Sequence, residues 1–277
     1  MKKVIVVTGA SSGIGKSTAL QLLKEGNIVY GIARRVERMK DIVDKGGKAI
    51  SIDITKHEQV KSGIAEVIKN EGRIDVLVNN AGYALYGPIE EITYEQAKYQ
   101  FEVNLFGLAE ITKEVLPTMR SQKSGMIINI SSVGGKIYSP LGAWYHATKH
   151  ALEGWSDCLR LELKQFGIDV VIVEPGAIKT EFSDAMDQKF NANDNSPYKE
   201  LKKTMAKVMK SAYEPGNYSE PSVIAETISK AIRSKNPRTR YASGKMARQT
   251  LMGRRWLSDK GFDKMIMRMI RNFSKNG

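Results

Sequence analysis

Short runs of apolar, often β-branched residues alternate along the chain with longer stretches in which apolar side chains recur every three or four positions. Residues 4–8, 28–33, 49–52, 75–78, 126–130 and 169–174 carry the first pattern and read as strands. Most are apolar at successive positions, as strands covered on both faces are. Residues 15–25, 57–70, 93–119, 143–166 and 222–234 carry the second pattern and read as helices. Strand and helix in alternation predict an α/β fold, a doubly wound parallel sheet with right-handed crossovers, in one domain over residues 1–244.

The alternation loosens after residue 174. Residues 182–221 are rich in Asn, Asp, Ser, Pro and Lys around a short stripe of Leu201, Met205, Val208 and Met209. A segment in this place would hang over the carboxyl edge of the sheet, where open α/β folds bind ligands, and it reads as a lid. The alternative is a surface excursion packed down by its methionines. Residues 245–277 read as a basic helical extension, not an independent domain. There Phe262, Met265, Ile266, Met269, Ile270 and Phe273 recur at helical spacing, with Lys264, Arg268, Arg271 and Lys275 mostly off the stripe. This helix is expected to dock on its own domain or a sister subunit; weak contact of 262–273 with an anionic membrane surface is the alternative.

Composition narrows the class. With 277 residues, 42% of them apolar, the chain can build a substantial core, and no stretch approaches the ~18 apolar residues of a membrane span. The apolar run of the opening MKKVIVV stops at Val7, too short for a secretory signal, and the single Cys158 has no intrachain partner. A reducing, cytoplasmic setting is expected. The net charge of +13 is concentrated at the end, because residues 235–277 hold 12 Lys and Arg against two Asp. A solvated basic face is the expected reading, with no nucleic-acid partner.

The first strand runs into Thr8-Gly9-Ala10-Ser11-Ser12-Gly13-Ile14-Gly15, and a helix follows. Glycines at 9, 13 and 15 permit a tight turn and close backbone approach, while a helix N-terminus offers unpaired N–H groups. Gly9, Ser11, Ser12, Gly13, Ile14 and Gly15 are therefore expected to cradle a pyrophosphate. The GxxxGxG spacing is not that of a Walker P-loop, which argues against a nucleotide triphosphatase.

These residues resemble the short-chain dehydrogenase/reductase family. Asn79-Asn80-Ala81-Gly82, Asp53-Ile54, Asn104, Ser132, Tyr145-x-x-x-Lys149 and Pro175-Gly176-x-x-x-Thr180 stand in the family's order and spacing. The resemblance covers roughly residues 1–240. It implies a single Rossmann-like domain, assembly as a homodimer or homotetramer, and a nicotinamide cofactor. By the same resemblance Asp53, Ile54, Asn80, Ala81, Gly82, Pro175, Gly176, Ile178 and Thr180 bind that cofactor, Lys149 binds its ribose, and Asn104 holds a water.

The end of the second strand bears on which cofactor. An NAD enzyme places a carboxylate there for the ribose 2′-OH; here Ala33 is followed by Arg34 and Arg35, which suit a 2′-phosphate. NADP is favoured over NAD, with Arg34 the expected direct contact.

Tyr145 and Lys149 are four residues apart and share a helix face. A neighbouring ammonium and a positive nicotinamide ring would favour phenolate and lower the tyrosine pKa, making Tyr145 a general acid/base. Ser132 would hydrogen-bond the substrate oxygen. His146 and His150 point away on helical geometry, and no residue cluster has metal-ligand spacing, so no metal is expected. The expected substrate rim of Tyr83, Leu85, Tyr86, Gly134, Ile137, Tyr138, Trp144 and Phe182 suits a hydrophobic ketone, aldehyde or alcohol. The weaker subfamily likeness is to members acting on steroid-, retinoid- or lipid-type substrates. Two other readings stay open: an NADPH-sensing regulator without turnover, and a membrane-surface or nucleic-acid binder working through the basic tail.

Overall fold

The computed structural model describes residues 2–181 and 195–275, without the side chains of 273–275. Residues 182–194, Phe182 and the first part of the expected lid among them, lie outside the described residues, as does the side chain of Phe273.

Seven strands form one parallel sheet: β1 (Val4–Thr8), β2 (Ile28–Ala33), β3 (Lys48–Ser51), β4 (Val76–Asn79), β5 (Gly125–Ile130), β6 (Ile168–Pro175) and β7 (Arg240–Ser243), in the order β3-β2-β1-β4-β5-β6-β7. Successive side chains of a strand face opposite layers. In β1, Ile5 and Val7 join one apolar layer with Leu22 and Ile228, while Val4 and Val6 join the other with Ile64 and Ile111. The first helices along the chain are α1 (Gly13–Lys24), the short α2 (Lys40–Asp44), α3 (His57–Glu71), α4 (Tyr94–Phe101), α5 (Gly107–Gln122) and α6 (Ala143–Leu163); all but α4 supply these layers, joined by the later helix that carries Ile228.

The expected helix over 93–119 is α4 and α5 joined by a π-helical stretch, Glu102–Phe106. A capping box between Thr93 and Gln96 fixes its start. The π-helical stretch holds Asn104, and such insertions recur at functional sites.

The seventh strand and α2 were not expected from the pattern. Half-buried along its whole length, β7 is tied down by Arg240, whose guanidinium meets Glu153 at 3.0 Å and Asp157 at 2.7 Å on α6. Between β6 and β7 lie α7 (Lys199–Ala212) and α8 (Pro221–Arg233), and after β7 come α9 (Ala247–Trp256) and α10 (Asp259–Lys275).

Helices α7 and α10 pack together in a third apolar cluster with Tyr86, Leu141 and Tyr145, through Met205 and Ile270. Phe262 and Ile270 of the C-terminal stripe are buried, Ile266 is half-buried, and Met265 and Met269 remain exposed. The stripe thus spends its 262/266/270 edge on the protein and leaves the rest outside. Among the described residues no helix is long and apolar enough to cross a membrane.

Candidate active site

Strand order reverses between β1 and β4, and there the carboxyl ends of the strands open a cavity of about 800 Å³. The turn after β1 needs its glycines: Gly9 and Gly13 sit at φ of +67° and +53°, and a Cβ on Gly9 would lie 2.8 Å from Asn80 Nδ2. Thr8 Oγ1 accepts from the backbone N–H groups of Asn80 and Ala81, both at 3.0 Å, which locks the end of β4 to the end of β1. Ser12 is the N-cap of α1, yet its side chain makes no capping bond, so the first N–H groups of that helix face the cavity without a side-chain partner of their own.

On the opposite wall, α6 carries Tyr145 and Lys149, both buried. Ser132 follows β5 and accepts from Gly134 N at 3.0 Å, shaping the short turn at 133–135, and it hydrogen-bonds the Tyr145 hydroxyl. Burial pushes the Tyr145 hydroxyl up to about 12, opposed by the Ser132 bond and aided by Tyr213 nearby. The expectation of a lowered tyrosine pKa is not met in the chain by itself, because loss of hydration outweighs the neighbouring polar groups. Burial likewise brings Lys149 down to about 8, against the pull of Glu153 one turn on. Its ammonium donates to Ile130 O at 2.8 Å.

His146 also lines the cavity. Its Nδ1 meets Gly134 O at 2.9 Å and its Nε2 meets Ser139 Oγ at 3.1 Å, so the ring braces the 133–135 turn, and burial holds its pKa down. Asn104 is enclosed: Oδ1 accepts from Tyr83 N at 3.0 Å, and Nδ2 donates to Tyr83 O at 2.9 Å and to Thr148 Oγ1 at 3.2 Å. It ties the segment after β4 to α6 at the residue before Lys149.

At the far end of the cavity, Arg34 donates to Tyr99 Oη at 3.0 Å. Arg35 reaches Glu181 at 3.3 Å, and Arg38, absent from the expected set, reaches the same carboxylate at 2.8 Å. All three side chains lie near the place where a 2′-phosphate was expected, and Glu181 already satisfies two of them.

A sequence model of the family described as short chain dehydrogenase matches residues 3–191. The chain belongs to the short-chain dehydrogenase/reductase family. It is 36% identical over 259 residues to a 3-ketodihydrosphingosine reductase of Bacteroides thetaiotaomicron, covering 93% of this chain and 94% of that one. A crystal structure of a short-chain dehydrogenase from Streptomyces avermitilis superposes with a TM-score of 0.80 at 37% identity, covering 91% and 92% of the two chains. A variant actinorhodin polyketide ketoreductase with NADPH gives 0.72 at 33% identity, over 83% and 90%. The chain is accordingly an oxidoreductase with a nicotinamide dinucleotide cofactor.

The residues of this short-chain dehydrogenase/reductase fit such a cofactor: a glycine turn that admits no Cβ at Gly9, an uncapped helix N-terminus, and cations at the adenosine end. Of the site residues expected from sequence, all but Gly15 and Asn104 line this one cavity. Gly15 instead lets α1 pass against β1, since a Cβ there would stand 2.4 Å from Gly9 O. Of the expected rim, Tyr83, Tyr86, Gly134, Ile137 and Tyr138 line it, whereas Leu85 is buried behind and Trp144 rests edge-on against Phe101.

Sequence reasoning missed Tyr99, Glu181 and the walls contributed by Tyr213, Ile266 and Ile270, and also Arg38, which pairs with Glu181 from outside the lining. The helical stripes of α7 and α10 were the available signal for the walls. One set of metal-ligating side chains stands among the described residues, His57 with Glu110 and Glu114, and none of them lines the cavity.

Proposed function

We propose that the enzyme is an NADP(H)-dependent oxidoreductase that interconverts a ketone or aldehyde and an alcohol on a hydrophobic, chain-like substrate. The observation that carries this reading is the surroundings of Tyr145. Its protonated hydroxyl, bonded to Ser132, faces a chamber whose other walls are Tyr86, Met205, Met209, Ile266 and Ile270. The cofactor, when bound, supplies or takes the hydride. Ser132 holds the substrate oxygen, and Tyr145, kept protonated by burial, gives its proton to that oxygen as charge develops there. Lys149 places a positive charge behind the tyrosine and hydrogen-bonds the end of β5, so that charge moves little. Asn104 keeps the segment after β4 in register with α6. The apolar walls argue for a lipid-type substrate and against a sugar or hydroxy acid, and a relative named as a 3-ketodihydrosphingosine reductase agrees. Arg34, Arg35 and Arg38 argue for NADP over NAD, and the single Cys158 for a reducing cytoplasm.

A regulator that only senses NADPH would have no use for the Ser132–Tyr145–Lys149 arrangement. The test is a panel of long- and short-chain ketones and alcohols with NADPH and NADH, followed at the nicotinamide absorbance, with Tyr145→Phe alongside. Turnover on apolar ketones with NADPH, lost in Tyr145→Phe while NADPH affinity stays within a few-fold, is the expected result. Preference for short polar substrates, or near-normal turnover in Tyr145→Phe, would overturn the reading.

A further inference from the structure

The apolar edge of α10 is spent inside the protein, but the C-terminal segment still carries an unusual outer surface. Six large apolar side chains of residues 246–269 stand open to solvent: Met246, Met252, Trp256, Met265, Met267 and Met269. Trp256 is 82% exposed, a costly position for an indole in water. On α9, Arg248, Met252, Arg255 and Trp256 fall at helical spacing on one exposed face. On α10, Lys264, Met265, Arg268 and Met269 line a shallow surface groove with Asn272. Met269 belongs both to this groove and to the lining of the substrate cavity, so the basic surface and the cavity rim adjoin.

The cations are available. Arg254 is occupied with Asp259 and with the rings of Tyr138 and Phe262. By contrast Arg248, Arg255, Lys264 and Arg268 are exposed, and none of them has an ion-pair partner among the described residues. Lys and Arg outnumber acids by 12 to two from residue 235 onward, which fixes the sign of the partner: it is anionic. A second copy of the chain would bring the same positive field against itself. Long flexible methionines and one tryptophan scattered among cations match the interfacial zone of a bilayer, where indole rings sit at headgroup depth and Lys or Arg meet phosphates.

We propose that the outer face of α9 and α10 docks the enzyme peripherally on anionic phospholipid bilayers, with Trp256 and Met252 at the headgroup boundary and the cavity rim at Met269 facing the lipid. The proposal concerns the surface alone and stands whether or not the substrate assigned above is correct. It gives the enzyme a route by which an apolar substrate can pass between bilayer and cavity without crossing water.

The test uses the full chain and extruded vesicles of phosphatidylcholine alone or with about 30 mol% phosphatidylglycerol. Sedimentation with the anionic vesicles only, reversed by about 0.5 M salt, is expected. It should come with a blue shift of tryptophan emission that Trp256→Phe lacks. Lys264→Gln with Arg268→Gln should weaken partitioning about 30-fold, since both cations near the lipid surface are lost. The melting temperature and activity on a water-soluble ketone should not change, because neither side chain lines the cavity. Absence of vesicle binding, binding equal on neutral lipid, or full binding by the charge-neutralised variant would overturn the proposal. So would a variant that changes only the oligomeric state in lipid-free solution, which would assign the face to a second copy, or salt-sensitive binding to duplex DNA without binding to vesicles.

Discussion

Arg34→Gln should lower NADPH affinity and leave NADH affinity unchanged, and the structure sets how much. A charge-assisted hydrogen bond contributes about 1.5–3 kcal/mol, equivalent to roughly 10- to 150-fold in affinity. Arg34 does not act alone, because Arg35 and Arg38 lie beside it, and both are held by the Glu181 carboxylate at 3.3 and 2.8 Å. These pairs are about half exposed, so each is worth at most about 1 kcal/mol and yields to a dianionic phosphate. The expected loss in Arg34→Gln is therefore near the lower bound, about tenfold.

Glu181→Gln should act in the opposite sense and tighten NADPH by up to about fivefold, by freeing two guanidiniums from a competing carboxylate. Adding Ala33→Asp to Arg34→Gln places a carboxylate beside the ribose and should reverse the preference. Titration of intrinsic fluorescence or calorimetry with both dinucleotides measures all four proteins. If Arg34→Gln weakens NADH as much as NADPH, or Glu181→Gln leaves NADPH unchanged, the arginines are not reading a 2′-phosphate.

Two further outcomes concern architecture. Phe262→Ala removes a ring that is 1% exposed and packed edge-on to Tyr138 at 5.1 Å; it should cost about 3–5 kcal/mol in a denaturant melt and lower the rate on long apolar substrates more than on short ones. Gly15→Ala should abolish cofactor binding and destabilise the fold together, seen as a lowered melting temperature that NADPH no longer raises, because the new methyl meets the Gly9 carbonyl at 2.4 Å.

What could be read from the chain follows from where its forces act. Most of the first six strands announced themselves because both layers of the sheet are buried, so that Val4–Thr8 or Ile28–Ala33 is apolar nearly throughout; the edge strand Lys48–Ser51 is only half-buried at its two apolar positions and exposed at its ends. No such signal exists for Arg240–Ser243, which is half-buried and held by the ladder to β6 and by the ion pairs of Arg240 with α6. The 262/266/270 edge of α10 was visible as periodicity, yet nothing local separates it from Met265 and Met269, which end in solvent; only the position of Met205 on α7 decides that.

The glycine turn and the Tyr145–Lys149 pair were legible because their spacing is local. Glu181 and Arg38 lie 143 positions apart, and no pattern in either neighbourhood joins them. The environment of Tyr145 was the least legible property, since its pKa depends on how completely β5, α7 and the 133–135 turn close around it, a three-dimensional fact.

That closure makes Lys149 a source of strain, and the strain is measurable. A lysine ammonium enclosed with one carbonyl at 2.8 Å is poorly solvated, and burial lowers its pKa from 10.5 to about 8. At ~1.4 kcal/mol per pKa unit, holding the charge at neutral pH costs the folded state about 3 kcal/mol. Lys149→Met keeps the volume and removes the charge, but it leaves Ile130 O without its donor, which takes back about 1 kcal/mol. The variant should be inactive yet more stable by about 2 kcal/mol at pH 7.

The pH dependence fixes the sign. The folded pKa lies below the unfolded one, so below about 8 both states hold the proton and the whole penalty is present. Between about 8 and 10.5 the folded protein releases its proton while the unfolded chain keeps it, so wild-type stability gains up to about 3 kcal/mol on the variant, which closes the gap of about 2 kcal/mol within this window and then reverses it. Urea melts of both proteins from pH 6 to about 10 measure the gap. A variant less stable than wild type at pH 7, or a gap that does not shrink with rising pH, would mean that Lys149 is paid for by its contacts and is not held against them.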